Sequence, residues 1–250
     1  MLGDTTIPIE VRTDWVWSEI AKRHPEIKRE NFHPSIANDP WMLHGMLVDD
    51  CCRFLANSDS LVMDIGANRG LFAAFCALKG ASVVAYEPNP EAFEILCDTI
   101  ARNKLENHIS AINAAVWTST GTCEFWWWKQ HDVIGTTYSP RGQNMASKTP
   151  GEKTIVPAIS FDDAIGDYEW DCVKVDIEGG EFDLFRNAAI ESLRRIKVLT
   201  LEVHTDAADK SPQDTLVARL EGCVVLDGIR DGNPDYEPNS RWISIYATRK

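Results

Sequence analysis

A short apolar run that ends in a glycine turn constrains the fold of this chain more than any other segment. Residues 61–65 are apolar except for one acid, residues 66–70 form a Gly-x-x-x-Gly turn, and residues 71–78 continue with helical periodicity. A second apolar run follows at residues 82–86, so the order is strand, turn, helix, strand. Strands joined through a helix pair in parallel. We therefore predict an α/β protein with a mostly parallel sheet and helices on both faces.

The same alternation continues along the chain. Further strands are predicted at residues 109–116, 172–177 and 197–203, helices at 91–103, 181–189 and 211–220, and a closing antiparallel pair at 223–226 and 242–248. Before this core, residues 1–60 contain two weakly helical stretches, 15–23 and 41–55, which predict a helical N-terminal cap. Residues 61–250 are expected to form the main domain, with a β-rich insertion at about 117–160 whose strands are 123–129 and 154–159.

Composition narrows the classes of function. The 250 residues carry a formal net charge of -13, which disfavours binding to nucleic acid. Seven cysteines without a Cys-x-x-Cys pair indicate reduced core residues rather than disulfides or a zinc site. The N-terminus has no leader pattern and no run approaches the length of a membrane span. We expect a cytoplasmic protein without a nucleic-acid or membrane partner, and the sequence does not predict its oligomeric state.

Polar residues at three predicted strand ends form a candidate nucleotide site. Gly66 lets the backbone approach a ligand closely, and Glu87, which ends the second strand, lies where a ribose diol would bind in a doubly wound sheet. Asp64 is suited to an ammonium group, and Asn113, near the end of the third strand, can accept a hydrogen bond from an adenine amino group. The neighbouring residues Ala67, Asn68, Gly70, Pro88, Asn89 and Ala114 complete the predicted cofactor set.

These features alone leave the cofactor open, because nicotinamide-binding folds share them. A dinucleotide fingerprint requires Gly-x-Gly-x-x-Gly, and Asn68 stands where its middle glycine would be. Asp64 would lie close to a pyrophosphate, whereas S-adenosylmethionine has an α-amino group and no phosphate. The pattern therefore favours S-adenosylmethionine.

Four motifs in order resemble the FkbM family of class I S-adenosylmethionine-dependent methyltransferases. They are Asp-Ile-Gly-Ala-Asn-Arg-Gly from residue 64, Tyr-Glu-Pro-Asn-Pro from 86, Val-Lys-Val-Asp-Ile-Glu-Gly-Gly-Glu from 173 and Leu-Glu-Val-His from 201. The resemblance covers roughly residues 61–205 and departs at Gly180, where alanine is more usual. It implies a Rossmann-like class I methyltransferase fold with a seven-stranded sheet, S-adenosylmethionine as cofactor, and methyl transfer to a hydroxyl of a sugar or other natural product.

The candidate catalytic residues are Asp176, His204 and Glu178. Asp176 and His204 close neighbouring central strands at the edge where the acceptor would lie, so one is expected to act as general base while the other orients acceptor or cofactor. Asp176 is also a candidate cofactor contact. Asp176, Glu178, Glu202 and His204 are suitable metal ligands, but such clusters are more often hydrogen-bonded networks, and we predict no metal.

Three other functions remain open at this stage. One is a cofactor-binding module without catalysis, in which Asp176 caps a helix and His204 is a hydrogen-bonded strand-end residue. Another is an N-methyltransferase, since an amine needs the same in-line geometry and a weaker base. The third, a nicotinamide-dependent oxidoreductase, would need the glycine turn that Asn68 interrupts.

Overall fold

A seven-stranded sheet forms the centre of the protein. The computed structural model describes residues 9–40, 42–43, 54, 56–127, 135–136, 152–206, 216–220, 224–231 and 240–249. In chain order the strands are β1 (Leu61–Ile65), β2 (Ser82–Tyr86), β3 (Ile109–Ile112), β4 (Ala115–Trp117), β5 (Gly121–Trp127), β6 (Gly135–Thr136), β7 (Glu152–Ser160), β8 (Trp170–Val175), β9 (Ile196–Asp206), β10 (Val224–Asp231) and β11 (Ser240–Arg249). The central order is β10-β11-β9-β8-β1-β2-β3.

The strand directions confirm the predicted mostly parallel sheet. β3, β2, β1, β8 and β9 pair in parallel, and β11 runs antiparallel to both β9 and β10. The carboxyl ends of the parallel strands therefore meet at one edge, where ligands bind in open α/β sheets. The closing antiparallel pair was also predicted correctly, although both of its strands are longer than expected.

Helices cover both faces of this sheet, as predicted. They are α1 (Ile9–Arg23), α2 (Pro34–Ala37), α3 (Leu71–Leu78), α4 (Pro90–Asn103), α5 (Phe161–Ile165), α6 (Glu181–Asn187) and α7 (Ile190–Arg194), with a 3-10 turn at Arg29–Asn31 and a helical segment at 216–220. Alternation along β1 sends Val62 into a core shared with α1, α3 and α4, and Met63 into a core shared with α5, α6 and α7. This packing gives the Rossmann-like architecture that the family resemblance implied.

The strand predicted at 109–116 is wrong in its second half. β3 ends at Ile112, and β4 leaves the central sheet to join a second sheet of order β4-β7-β5-β6. The break occurs where the Asn113 side chain donates to Glu87 O at 2.8 Å and Ala114 N donates to Ile112 O at 3.0 Å. These two bonds turn the chain at Asn113, a single polar residue between apolar ones, so the sequence pattern did not reveal the boundary.

Smaller boundary differences have local causes. The helix expected at 181–189 ends at Asn187, and α7 follows after Ala189 N donates to the Asp162 carboxylate at 2.9 Å. The strand expected at 172–177 ends at Val175, and α5 was not predicted. Most of the helix predicted at 41–55 and the first half of that at 211–220 lie outside the described residues.

The N-terminal helices pack on the same core as the strand-turn-helix unit. Val16 and Ile20 of α1 and Ile36 of α2 are fully buried in one cluster with α3. The proposed boundary between residues 1–60 and 61–250 stays a prediction. In the part of the chain that the structure describes, no helix is long and apolar enough to cross a bilayer.

Candidate active site

A pocket opens at the carboxyl ends of β1 and β8. Its volume is about 440 Å³, a figure that includes the open space at its mouth. Four of the predicted site residues line it, namely Gly66, Ala67, Asn68 and Asp176. Five lining residues were not predicted: Met42, Arg69, Leu71, Phe72 and Lys174. The predicted turn and strand tip thus form one cavity.

Gly66 brings the two strand ends into direct contact. Its φ is +78°, and a Cβ built on it would lie 1.8 Å from the main-chain oxygen of Asp176. Asp176 N in turn donates to Ile65 O at 3.0 Å. A side chain at residue 66 would therefore separate the two loops that form the pocket.

Glu87 ties the glycine turn to the end of β2. Its Oε2 accepts from Asn68 N at 2.7 Å and its Oε1 accepts from Asn89 N at 2.8 Å, with the residue only 6% exposed. Burial raises the pKa of Glu87 to about 7, although the two backbone donors oppose the shift. The turn consequently presents a carboxyl group at the tips of β1 and β2.

Asn89 and Asn113 organise the same edge. Asn89 caps α4, since its side-chain oxygen accepts from Glu91 N at 3.0 Å. Asn113 donates its amide nitrogen to the main-chain oxygens of Glu87 and Pro88 at 2.8 and 3.3 Å, which leaves its amide oxygen as an acceptor. Gly70 begins α3, and Ala114 is buried beside Asn113. The structure therefore brings all predicted strand-end residues together, but those of β2 and β3 lie outside the pocket lining.

Lys174 lies between two acids. Its Nζ is 3.2 Å from Oδ2 of Asp176 and 3.7 Å from Oδ1 of Asp64. Burial alone would lower the pKa of Lys174, but Asp176 and Asp64 outweigh it and raise that pKa. Asp64 is fully buried and does not line the pocket; its pKa rises to about 6 because burial outweighs attraction to Lys174.

His204 contacts three carboxylates. Its Nδ1 is 3.2 Å from Oε1 of Glu181, and its Nε2 is 3.4 Å from both Oε2 of Glu178 and Oε1 of Glu202. Burial would lower the pKa of His204, but Glu178 and Glu181 raise it well above its ordinary value. The surrounding acids therefore favour the protonated ring, and both of its ring nitrogens are directed at acids.

The turn after β8 is built around this cluster. Oε1 of Glu181 also accepts from Ile177 N and Gly179 N, each at 3.1 Å. Glu178 has a φ of +59°, in the left-handed region that few non-glycine residues adopt. One ligand atom each from Asp176, Glu202 and His204 lie within 4.8 Å of one another, which is compatible with a cation, so the absence of a metal stays a prediction.

Several site residues were not predicted from the sequence, and each for a reason that the structure explains. Lys174 shares the strand alternation of Asp176, and this pattern was the signal available for it. Glu181 lies in the first turn of α6, where acids are common in any helix, so its position gave no signal of a site; the structure buries it fully against His204. Arg69 lies inside the first motif, at a position to which no ligand contact was assigned, and Met42 belongs to no motif.

A family comparison decides the relationship. The model of the methyltransferase FkbM domain matches residues 64–223 of this chain, which is more than half of it. The chain belongs to the FkbM methyltransferase family. All four motifs that suggested this resemblance lie within the matched segment, and residues of the first and third motifs line the pocket.

Two named methyltransferases are similar to this chain in sequence. The hexuronic acid methyltransferase AglP of Haloferax volcanii is 28% identical over 160 residues, which are 62% of this chain and 60% of AglP. The methyltransferase sdnD of Sordaria araneosa is 21% identical over 206 residues, which are 71% of this chain and 80% of sdnD. The chain thus spans less than two thirds of AglP, and the substrate of AglP does not transfer on this alignment.

Solved structures show weaker likeness. Trm5 of Methanocaldococcus jannaschii in complex with adenosine has 15% identity and a TM-score of 0.48, with 87% of this chain and 49% of that chain covered. TYW2 of P. horikoshii in complex with MeSAdo has 16% identity and a TM-score of 0.46, with 80% and 61% covered. Likeness at TM-scores below 0.5 does not establish the fold class of this chain. The fold class follows instead from the family and the order of the strands in the sheet.

Proposed function

We propose that this protein is an S-adenosylmethionine-dependent methyltransferase that methylates a hydroxyl group of a sugar, glycan or other small natural product. The observation that carries the proposal is the hydrogen bond from Asn68 N to Oε2 of Glu87, 2.7 Å long. A dinucleotide site needs the N–H groups of its glycine turn for a pyrophosphate. Here that N–H is donated to an acid, so the turn suits a ligand with hydroxyl and cationic groups.

The residues present fit an adenosyl cofactor. Oxygens of Glu87 can accept hydrogen bonds from the two ribose hydroxyls, and the free amide oxygen of Asn113 can accept one from the adenine amino group. Because β3, β2, β1 and β8 are neighbours in that order, the methionine half would lie over β1 and β8, in the pocket lined by Gly66 and Asp176. At this edge Lys174 forms ion pairs with both Asp64 and Asp176.

The residues at the β8 edge have distinct tasks in methyl transfer. Bound S-adenosylmethionine supplies a methyl group that its positively charged sulfur already activates. The protein must hold the acceptor hydroxyl in line with that methyl, an orientation worth roughly 7–11 kcal/mol. As the hydroxyl oxygen gains the methyl group, its proton passes to a carboxylate oxygen of Asp176, which adds about 10²–10⁴-fold to the rate.

Asp176 is favoured over His204 as the base. Glu178 and Glu202 lie within 3.4 Å of Nε2 of His204 and raise its pKa, so they favour the ring that already carries its proton. A protonated ring cannot accept the acceptor's proton. We assign it instead the orienting role, in which it fixes the carboxylates of Glu178 and Glu202 next to the acceptor.

A small molecule is the acceptor class that the remaining observations support. The net charge of -13 would repel a nucleic acid. AglP, at 28% identity, is named for a hexuronic acid, a hydroxylated sugar.

Thermal shifts with S-adenosylmethionine, S-adenosylhomocysteine and NAD test the cofactor. A ligand at 100 times its Kd stabilises the folded protein by about 2.7 kcal/mol, which is readily measured. We expect a shift with the two adenosyl ligands and none with NAD. A shift with NAD alone would contradict the proposal.

Acceptor screening then tests catalysis through the release of S-adenosylhomocysteine. With an accepted sugar, Asp176→Asn should lower turnover by about 10²–10⁴-fold while the Kd for S-adenosylhomocysteine changes little. His204→Ala should lower turnover less. If Asp176→Asn retains wild-type turnover, Asp176 is not the base; if adenosyl ligands bind but no hydroxylated or amine acceptor is methylated, the protein is a binding module.

A further inference from the structure

A segment outside the matched family domain contacts the glycine turn directly. Residues 33–40, 42 and 43, which we name the N-terminal wall, precede the matched residues 64–223. Arg69, inside the turn, donates from Nη1 to Ser35 O at 2.6 Å and from Nη2 to Oδ2 of Asp39 at 3.1 Å. The same Nη2 lies 3.6 Å from Sδ of Met42. One guanidinium therefore reaches three residues of the wall.

This contact is buried and specific. Arg69 is 6% exposed, and its main-chain oxygen accepts from the Thr99 hydroxyl at 2.9 Å, so the residue is held from both sides. A guanidinium offers several donors in a rigid plane, and lysine cannot reproduce the simultaneous bonds to Ser35 O and Asp39. The wall is thus attached at the turn that borders the pocket, and α2 within it is buried through Ile36 and Ala37.

Met42 carries the wall into the pocket. It lines the cavity together with Gly66, Ala67, Lys174 and Asp176. These residues lie at the ends of β1 and β8, where the proposed function puts the methionine half of the cofactor. The residues assigned to ribose and adenine lie over β2 and β3, away from Met42.

We propose that the N-terminal wall completes the cofactor pocket over the methionine half, and that Arg69 and Asp39 are the positioning residues that hold it there. The inference rests on the proposed function. Affinity for the cofactor then depends on the fraction of molecules in which the wall is seated, because the apparent Kd is the intrinsic Kd divided by that fraction. Contacts to adenosine do not depend on it.

Two ligands separate these effects. S-adenosylhomocysteine has the amino-acid portion of the cofactor, and 5′-methylthioadenosine lacks it. If Asp39→Asn leaves the wall seated in about one tenth of molecules, the Kd for S-adenosylhomocysteine rises about tenfold. The Kd for 5′-methylthioadenosine should stay within twofold, and Met42→Ala should shift the two constants in the same unequal way.

A matched ion pair provides the control. Glu26 contacts Lys79 at 2.7 Å, joins the same N-terminal region to the main sheet unit, and has the same 32% side-chain exposure as Asp39, but neither partner lines the pocket. Glu26→Gln should therefore leave both dissociation constants unchanged. Urea unfolding of Asp39→Asn, Met42→Ala and Glu26→Gln shows whether the three variants lose the same amount of stability.

The outcomes are distinguishable by isothermal titration calorimetry. If the wild type binds neither adenosyl ligand, the proposed function fails and this inference with it. If the wild type binds both, but Asp39→Asn and Met42→Ala weaken them equally or not at all, the inference alone is wrong. An equal loss of affinity in Glu26→Gln would also overturn it, because the effect would then be one of general stability.

Discussion

Replacing Gly66 with alanine tests whether the contact between the β1 and β8 loops is as close as the structure indicates. The new Cβ would stand 1.8 Å from Asp176 O, a main-chain atom that cannot rotate away. The position also has a φ of +78°, so alanine is strained there regardless of space. Strain in this region costs about 1–3 kcal/mol. Forced overpacking adds about 1–3 kcal/mol, which gives a total of about 2–6 kcal/mol.

Gly121 is the matched control for that substitution. Its φ is +139°, yet a Cβ there would meet nothing within 4 Å. Gly121→Ala should therefore lose only the strain energy of about 1–3 kcal/mol. Urea unfolding followed by circular dichroism measures both variants, and we expect Gly66→Ala to lose about 1–3 kcal/mol more than Gly121→Ala.

Gly66→Ala should also affect ligand binding. Separation of the loops should abolish the thermal shift with S-adenosylhomocysteine, whereas Gly121→Ala should keep it. Equal stability losses in the two variants, or an unchanged ligand shift in Gly66→Ala, would refute the close approach.

The remaining predictions concern charge. Burial raises the pKa values of Glu87 to about 7 and of Asp64 to about 6 from ordinary values of 4.5 and 3.8, so the folded state favours their protonated forms. The contribution of these two acids to the free energy of unfolding should be complete below about pH 4 and lost as the pH rises through 6 and 7. The free energy of unfolding measured from pH 4 to 8 should therefore fall. Glu87→Gln should make the upper part of that fall less steep. Lys174→Met should lose about 3–5 kcal/mol in urea unfolding, because it leaves the buried Asp64 and the half-buried Asp176 without their cation. Lys174→Arg should lose less, and equal losses in the two variants would show that charge is not the cause. Turnover should survive dialysis against EDTA, and a loss that Mg²⁺ or Mn²⁺ restores would indicate a metal at Asp176, Glu202 and His204.

The strand-turn-helix unit could be predicted because its signals are local. Apolar runs, the turn at Gly66 and the Asn89-Pro90 start of α4 act through neighbouring residues, and each element appears within a few residues of its predicted place. Glu87 and Asp176 were found for the same reason, since each follows an apolar run at a strand end.

Elements that depend on distant partners were mispredicted or missed. The end of β3 is set by hydrogen bonds from Asn113 to residues 25 and 26 positions earlier. The partners of Arg69 in the N-terminal wall are 27–34 positions away. No periodicity encodes such pairs, because they form only after the chain has folded.

The sequence by itself determined the fold class, the family and the identity of the strand-end residues, since these follow from local periodicity and ordered motifs. Only the tertiary structure decided the pKa shifts and the ion-pair partners of those residues. Asp64 is paired with Lys174 behind the pocket surface, and His204 lies among three acids that raise its pKa. The physical reason is that pKa values and ion pairs depend on burial and on distances of 3–4 Å between residues that lie far apart in the chain.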